Sequence, residues 1–160
     1  MKIKPIYTIA VIALILTLLV GCAPSATDDM ESYINYEAGF GIKFPGPWDH
    51  QSPFDSPDSH QNQEIFSGSE GGVEIYWGSG LGGACTTDTV QVELAEGKTT
   101  ACYVKKGDGT EEWSQISHEE IGGNSFSIRA YTNDSQSSSH DLVLDVLSTL
   151  TFNIRRGSNP

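Results

Sequence analysis

Carboxylates and imidazoles are densest between Asp49 and His60, where Asp49, His50, Asp55, Asp58 and His60 fall within one short polar run. Oxygen and nitrogen donors of that kind suit a calcium or zinc ion. The spacing matches no recurrent cage: the glycine at the sharp turn and the late bidentate glutamate of a calcium loop are missing. The five residues are read as a solvated acidic loop and as weak metal candidates only. His118 and Glu120 stand two apart and would share a strand face, with Glu119 on the other; His140 and Asp141 read as surface or capping residues at a helix start. Glu111-Glu112 and Glu119-Glu120 are adjacent pairs that point apart on a strand, so neither builds an acid/base pair. Neither Ser69 nor Ser79 stands in the Gly-x-Ser-x-Gly elbow that activates a serine. Gly78-Ser79-Gly80-Leu81-Gly82-Gly83 has the spacing of a phosphate cradle, but it leads toward another strand instead of a helix N-terminus. No catalytic residue is assigned and no cofactor is expected. The alternative is a secreted metal-dependent or hydrolytic enzyme using His50, Asp55, Asp58 and His60, with His118 in support. Trp48, Trp77 and Trp113 suit a core; exposed beside Tyr76, they would form a binding surface.

Strands must position these groups, because apolar residues alternate along most of the chain. Tyr33 to Glu37 and Gly39 to Pro45 read as a hairpin ended by proline. The polar run from Asp49 to Asn62, with Pro47, Pro53 and Pro57 in and before it, is expected to hold no strand. Val73, Ile75 and Trp77 alternate with Glu74 and Tyr76, and Ile65-Phe66 ends the strand before them. Val90, Val92 and Leu94 pair with the run through Thr100, Cys102 and Val104 as a further hairpin. Gly107-Asp108-Gly109 is a turn, followed by strands at Trp113–Ile116 and Phe126–Tyr131. One helix is expected: Ser138 caps it, Asp141 stands at capping-box spacing, and Leu142, Val143, Val146, Leu147 and Leu150 recur on one side. Thr151 to Ile154 forms a terminal strand.

The chain has 160 residues, 9 Lys and Arg against 21 Asp and Glu, and a formal charge of −12. That balance excludes nucleic acid as a default partner, because binding a phosphate backbone needs clustered cations. With 38% hydrophobic residues the chain is expected to fold, as a single domain.

Lys2 and Lys4 precede an uncharged stretch from Ile6 to Val20. As a helix it would rise roughly 22 Å, against a bilayer core of about 30 Å, so it fits the apolar region of an export signal better than a span. Leu19-Val20-Gly21-Cys22 resembles the lipobox of bacterial lipoproteins. The resemblance implies that residues 1–21 are a signal peptide and that Cys22 receives a diacylglyceryl lipid, palmitate serving as the natural label. It places the protein in the cell envelope, anchored by lipid on the extracytoplasmic side of the cell membrane or outer membrane. Ala23 stands where an aspartate would favour inner-membrane retention. Residues 22–32, poor in large apolar groups, would be a flexible tether, 33–154 the domain, and 155–160 a disordered tail. With Cys22 taken by lipid, Cys85 and Cys102 remain as an even pair in an oxidising compartment, and a disulfide is expected.

Tyr36-Glu37-Ala38-Gly39-Phe40-Gly41-Ile42-Lys43-Phe44-Pro45, followed by Trp48, is similar to the opening of PsbP-like domains carried by many small bacterial lipoproteins. Leu147-Ser148-Thr149-Leu150-Thr151-Phe152 resembles their closing helix-to-strand segment. The resemblance implies an α+β fold, a PsbP-like sandwich in which an antiparallel sheet carries a packed C-terminal helix. It also implies an accessory or binding role without catalysis, toward an envelope protein or a small ligand.

Overall fold

The computed structural model describes residues 29–52, 61–78, 81, 83–121 and 124–154, without the side chains at 61, 118–121 and 124. In chain order the elements are β1 (Met30–Asn35), β2 (Phe40–Pro45), β3 (Asp49–Gln51), β4 (Gln61–Ser67), β5 (Gly71–Gly78), β6 (Asp88–Leu94), β7 (Gly97–Lys105), β8 (Glu111–Ile121), β9 (Asn124–Thr132), α1 (Ser137–Ser148) and β10 (Thr151–Phe152). The fold is α+β, as the alternation and the single helical run imply. A three-stranded antiparallel sheet in the order β1-β2-β10 lies against a seven-stranded one in the order β3-β4-β5-β9-β8-β7-β6.

Burial along β5 alternates, with Val73, Ile75 and Trp77 inside and Glu74 and Tyr76 half-exposed. Its neighbour β9 repeats the phase through Phe126, Ile128 and Ala130. The large sheet therefore has one apolar face. The small sheet covers part of it: Phe40 meets Trp77 and Phe126, Phe44 meets Phe66, and Phe152 meets Phe126. Helix α1 covers the rest with Val143, Val146 and Leu147, all fully buried. Gly71 permits this approach, since a methyl group there would overlap the carbonyl of Tyr131 and crowd Val143.

Local departures from the expected elements have identifiable causes. Strand β1 begins at Met30, inside the segment read as tether, because Met30 to Asn35 pair with β2 in unbroken register. Strands β3 and β4 reach into the run read as strand-free: Asp49, His50 and Gln51 pair with Ser67, Phe66 and Ile65, a long-range pairing that local proline content does not reveal. Asp55, Asp58 and His60 lie outside the described residues, as does the lipobox with Cys22.

Ser138 does not cap α1. The N-cap is Gln136, which makes no side-chain capping bond, and Ser138 lies inside the helix. The C-terminal end is fastened instead, where the Thr149 hydroxyl donates to the Val146 carbonyl, accepts the Lys43 amide and so ties the helix to β2. Thr151 and Phe152 then pair with Gly41 and Phe40.

In β8 the register shifts between Trp113 and Ile116, and Gln115 takes a left-handed φ of 54°. This bulge lets Trp113 and Ile116, three residues apart, both face the core, which strict alternation would forbid.

Cys85 and Cys102 form a disulfide with Cα atoms 5.4 Å apart across a sequence separation of 17. It ties the segment before β6 to β7. Closing a loop of that size stabilises the fold by about 3 kcal/mol in the chain-entropy model. Reducing agent is expected to lower the melting temperature by several degrees, and exposed Cys85→Ser to reproduce the shift; superimposable melting curves would refute the stabilising role.

Candidate functional site

Four polar or concave features are candidates, and each is built by elements distant in sequence. The first is Glu64. It lies on the apolar face of β4, two residues before Phe66, and is 4% exposed. Its Oε1 accepts Tyr33 Oη at 2.9 Å and Asn35 Nδ2 at 3.2 Å; its Oε2 accepts His50 Nε2 at 2.7 Å and Ser52 Oγ at 2.5 Å. The His50 ring stacks on Phe66 at 4.7 Å between centroids. Burial, with the negative Glu64 accepting its proton, pushes the Tyr33 hydroxyl up to about 12. Four donors on one carboxylate join β1 to β3 and β4, and they leave Ser52 bonded to the carboxylate instead of the imidazole. That is a clamp rather than a nucleophile–base pair.

The second is Glu111, 7% exposed. Tyr103 Oη donates to its Oε1 at 2.7 Å, Lys105 Nζ does so at 3.0 Å, and His140 Nδ1 binds Oε2. Burial pushes this carboxyl up, but the bonds from Tyr103, His140 and Lys105 outweigh it and hold it at about 2. The same bond to Glu111, aided by burial, raises Tyr103 to about 12. His140, with 37% of its side chain still exposed, is at the surface as expected, but it also pins the first turn of α1 to β8, edge-on to Trp113. Glu111, His140, Lys105 and Ser137 also line a cavity of about 230 Å3.

The third is the open face of the large sheet. Arg129 Nη1 donates to Glu74 at 3.0 Å, and its Nε and Nη2 form a fork on Glu112 at 3.0 Å each. The guanidinium sits 5.1 Å from the Tyr131 ring centroid. The bonds from Arg129 hold Glu112 below its ordinary range. Tyr76 donates to Glu74 at 2.6 Å and accepts Gln63 at 2.8 Å, and burial with the bond to Glu74 raises it to about 12. The fourth is a groove of about 630 Å3 between β6 and α1, lined by Gln91 to Ala95 with Lys98, Leu144, Asp145 and Ser148.

Sequence-expected residues fall differently. Trp48, Trp77 and Trp113 are 5%, 8% and 2% exposed, so they belong to the core and not to a surface platform; of that group only Tyr76 faces the open side. Asp49 and His50 lie on β3, and His50 is engaged by Glu64. Among the described residues, no three His, Cys, Asp or Glu side chains converge as a metal group. The side chains of His118, Glu119 and Glu120, and Ser79, Gly80 and Gly82 of the glycine-rich run, lie outside the description. Among the described residues no helix is long and apolar enough to cross a membrane.

Glu64, Arg129 and the groove were not singled out from sequence; Glu111 and His140 were each weighed there, but not as partners of one another. Glu64 did carry a signal, because it shares the apolar phase of Phe66, where a carboxylate demands partners. No protein-family model matches the chain, and no curated protein matches it.

Two outcomes are expected. Glu64→Ala leaves Tyr33, Asn35, His50 and Ser52 without their acceptor and should cost about 3 kcal/mol in denaturant unfolding, against about 1 kcal/mol for Tyr33→Phe. Glu111 has a folded value of about 2 against an ordinary 4.5. Its contribution is complete above 4.5 and drains away as pH falls toward 2, on the order of 2 kcal/mol. In Glu111→Gln this part of the acid limb should flatten; equal pH slopes in both proteins would contradict the assignment.

Proposed function

We propose that the protein is a lipid-anchored envelope lipoprotein whose PsbP-like α+β domain binds a partner without catalysing a reaction. The observation that carries this reading is how the polar groups are used. The buried carboxylates Glu64 and Glu111 are engaged by donors from their own chain, which join elements to one another. The larger of the two concave features described above is a groove of mixed polar and apolar lining beside β6, the last strand of the large sheet among the described residues. Saturated buried networks stiffen a scaffold, and a preformed groove on a stiff scaffold suits recognition. The Leu19-Val20-Gly21-Cys22 motif supplies the anchor. Two acyl chains give stable attachment, since each buried methylene contributes about 0.8 kcal/mol. Loss of residues 1–21 removes Lys2 and Lys4 and no acid. The remaining acidic domain would be repelled by anionic headgroups and held away from the bilayer by charge.

Palmitate labelling of producing cells, followed by membrane fractionation, tests the anchor. The parent chain should carry label and sediment with membranes, whereas Cys22→Ser should carry none and remain unprocessed. Label retained in Cys22→Ser, or none in the parent, would sink the reading.

A further inference from the structure

Resting on that reading of a binding domain, we infer that the free edge of β6 accepts an extended, cationic polypeptide segment as an added strand of the large sheet. Among the described residues, strand β6 is the last in the order β3-β4-β5-β9-β8-β7-β6 and pairs with β7 alone. Along its seven residues, alternate backbone N–H and C=O groups point away from β7, the template on which another strand adds. Just past the strand the row is taken, Ala95 N–H donating to the Leu150 carbonyl at 3.2 Å, so the open stretch ends at Leu94. At the opposite end of the sheet, β3 has three residues and offers far less.

The groove follows this edge. Gln91, Val92, Glu93, Leu94 and Ala95 line it consecutively. Neighbouring side chains of a strand point to opposite faces, so a cavity touching all five lies beside the backbone and not over one face. Within a mainly polar lining, half-buried Leu144 on α1 and the narrow exposed margins of Val92 and Leu94 give its floor an apolar patch. An incoming strand would place every second side chain there, while its main chain bonds to β6.

Charge selects the occupant. Exposed Glu93 and Asp145 line the groove against the single cation Lys98. Asp88 at the start of β6 and Asp141 one turn earlier on α1 are exposed and extend the acidic rim. A second copy of this edge would bring acid against acid. The chain's own Asp28-Asp29 segment would meet the same repulsion. A segment with lysine or arginine at alternate positions is matched, its cations over the rim and its apolar residues over the floor.

The test is a titration of the 15N-labelled full chain in detergent micelles with a capped peptide of alternating lysine and valine that spans β6. Saturable binding is expected, with amide shifts concentrated in β6 and the facing turns of α1. Methylating every second peptide nitrogen, in either phase, should abolish binding in one phase and spare it in the other, because only one edge pairs. Asp145→Lys, and independently Glu93→Lys at another exposed position, should each weaken binding at least about tenfold. The inference is overturned by no saturable binding, by equal affinity for a glutamate–valine peptide, or by shifts centred elsewhere. Concentration-dependent β6 shifts without peptide would overturn it in favour of a second copy. Palmitate labelling of Cys22 reads the anchor separately, so failure of the groove and failure of the tether are told apart.

Discussion

Phe66, Val73, Ile75, Trp77, Phe126, Ile128 and Ala130 crowd one face of the seven-stranded sheet, and keeping water from that face governs the rest of the structure. A large antiparallel sheet with one apolar face is not stable alone and must be covered. Two covers share the task, the small sheet through Phe40, Ile42, Phe44 and Phe152, and α1 through Val143, Val146 and Leu147. They are joined to each other, because Thr149 at the end of α1 bonds to Lys43 of β2 and the chain continues directly into β10. Displacing either cover therefore loosens the other.

Buried carboxylates fasten the covers at their margins. Glu64 holds β1 of the small sheet to the large one through Tyr33 and Asn35, and Glu111 holds the start of α1 through His140. A buried carboxylate is tolerated only when donors surround it. Both are therefore demanding, and both specify where the covers sit. The opposite face is arranged by the same chemistry at greater exposure, with Arg129 held between Glu74 and Glu112.

Much of the fold was legible in the sequence because hairpins are local. Val73-Ile75-Trp77 and Phe126-Ile128-Ala130 alternate openly, and the run from Leu142 to Leu150 has a helical period. Strand β3 escaped, since three polar residues are a strand only through their pairing with Ile65 to Ser67. The bulge at Gln115 escaped too, because an inserted residue looks no different from its neighbours until the partner strand reveals the register. The candidate sites were the least legible part. Tyr33 and Glu64, or Glu111 and His140, are separated by 31 and 29 residues, and no spacing rule joins them.

By itself the sequence determined the class of the molecule: alternating apolar residues make sheet, the run from Leu142 to Leu150 makes the one helix among the described residues, and acidic excess sets the sign of its field. Tertiary structure alone decided which strand stands at the edge, which face is covered and which carboxylates are enclosed. The physical reason is range. Alternation and helical period act over a few residues along the chain, whereas burial, hydrogen-bond partnership and an unpaired edge depend on segments that meet only once the chain has folded.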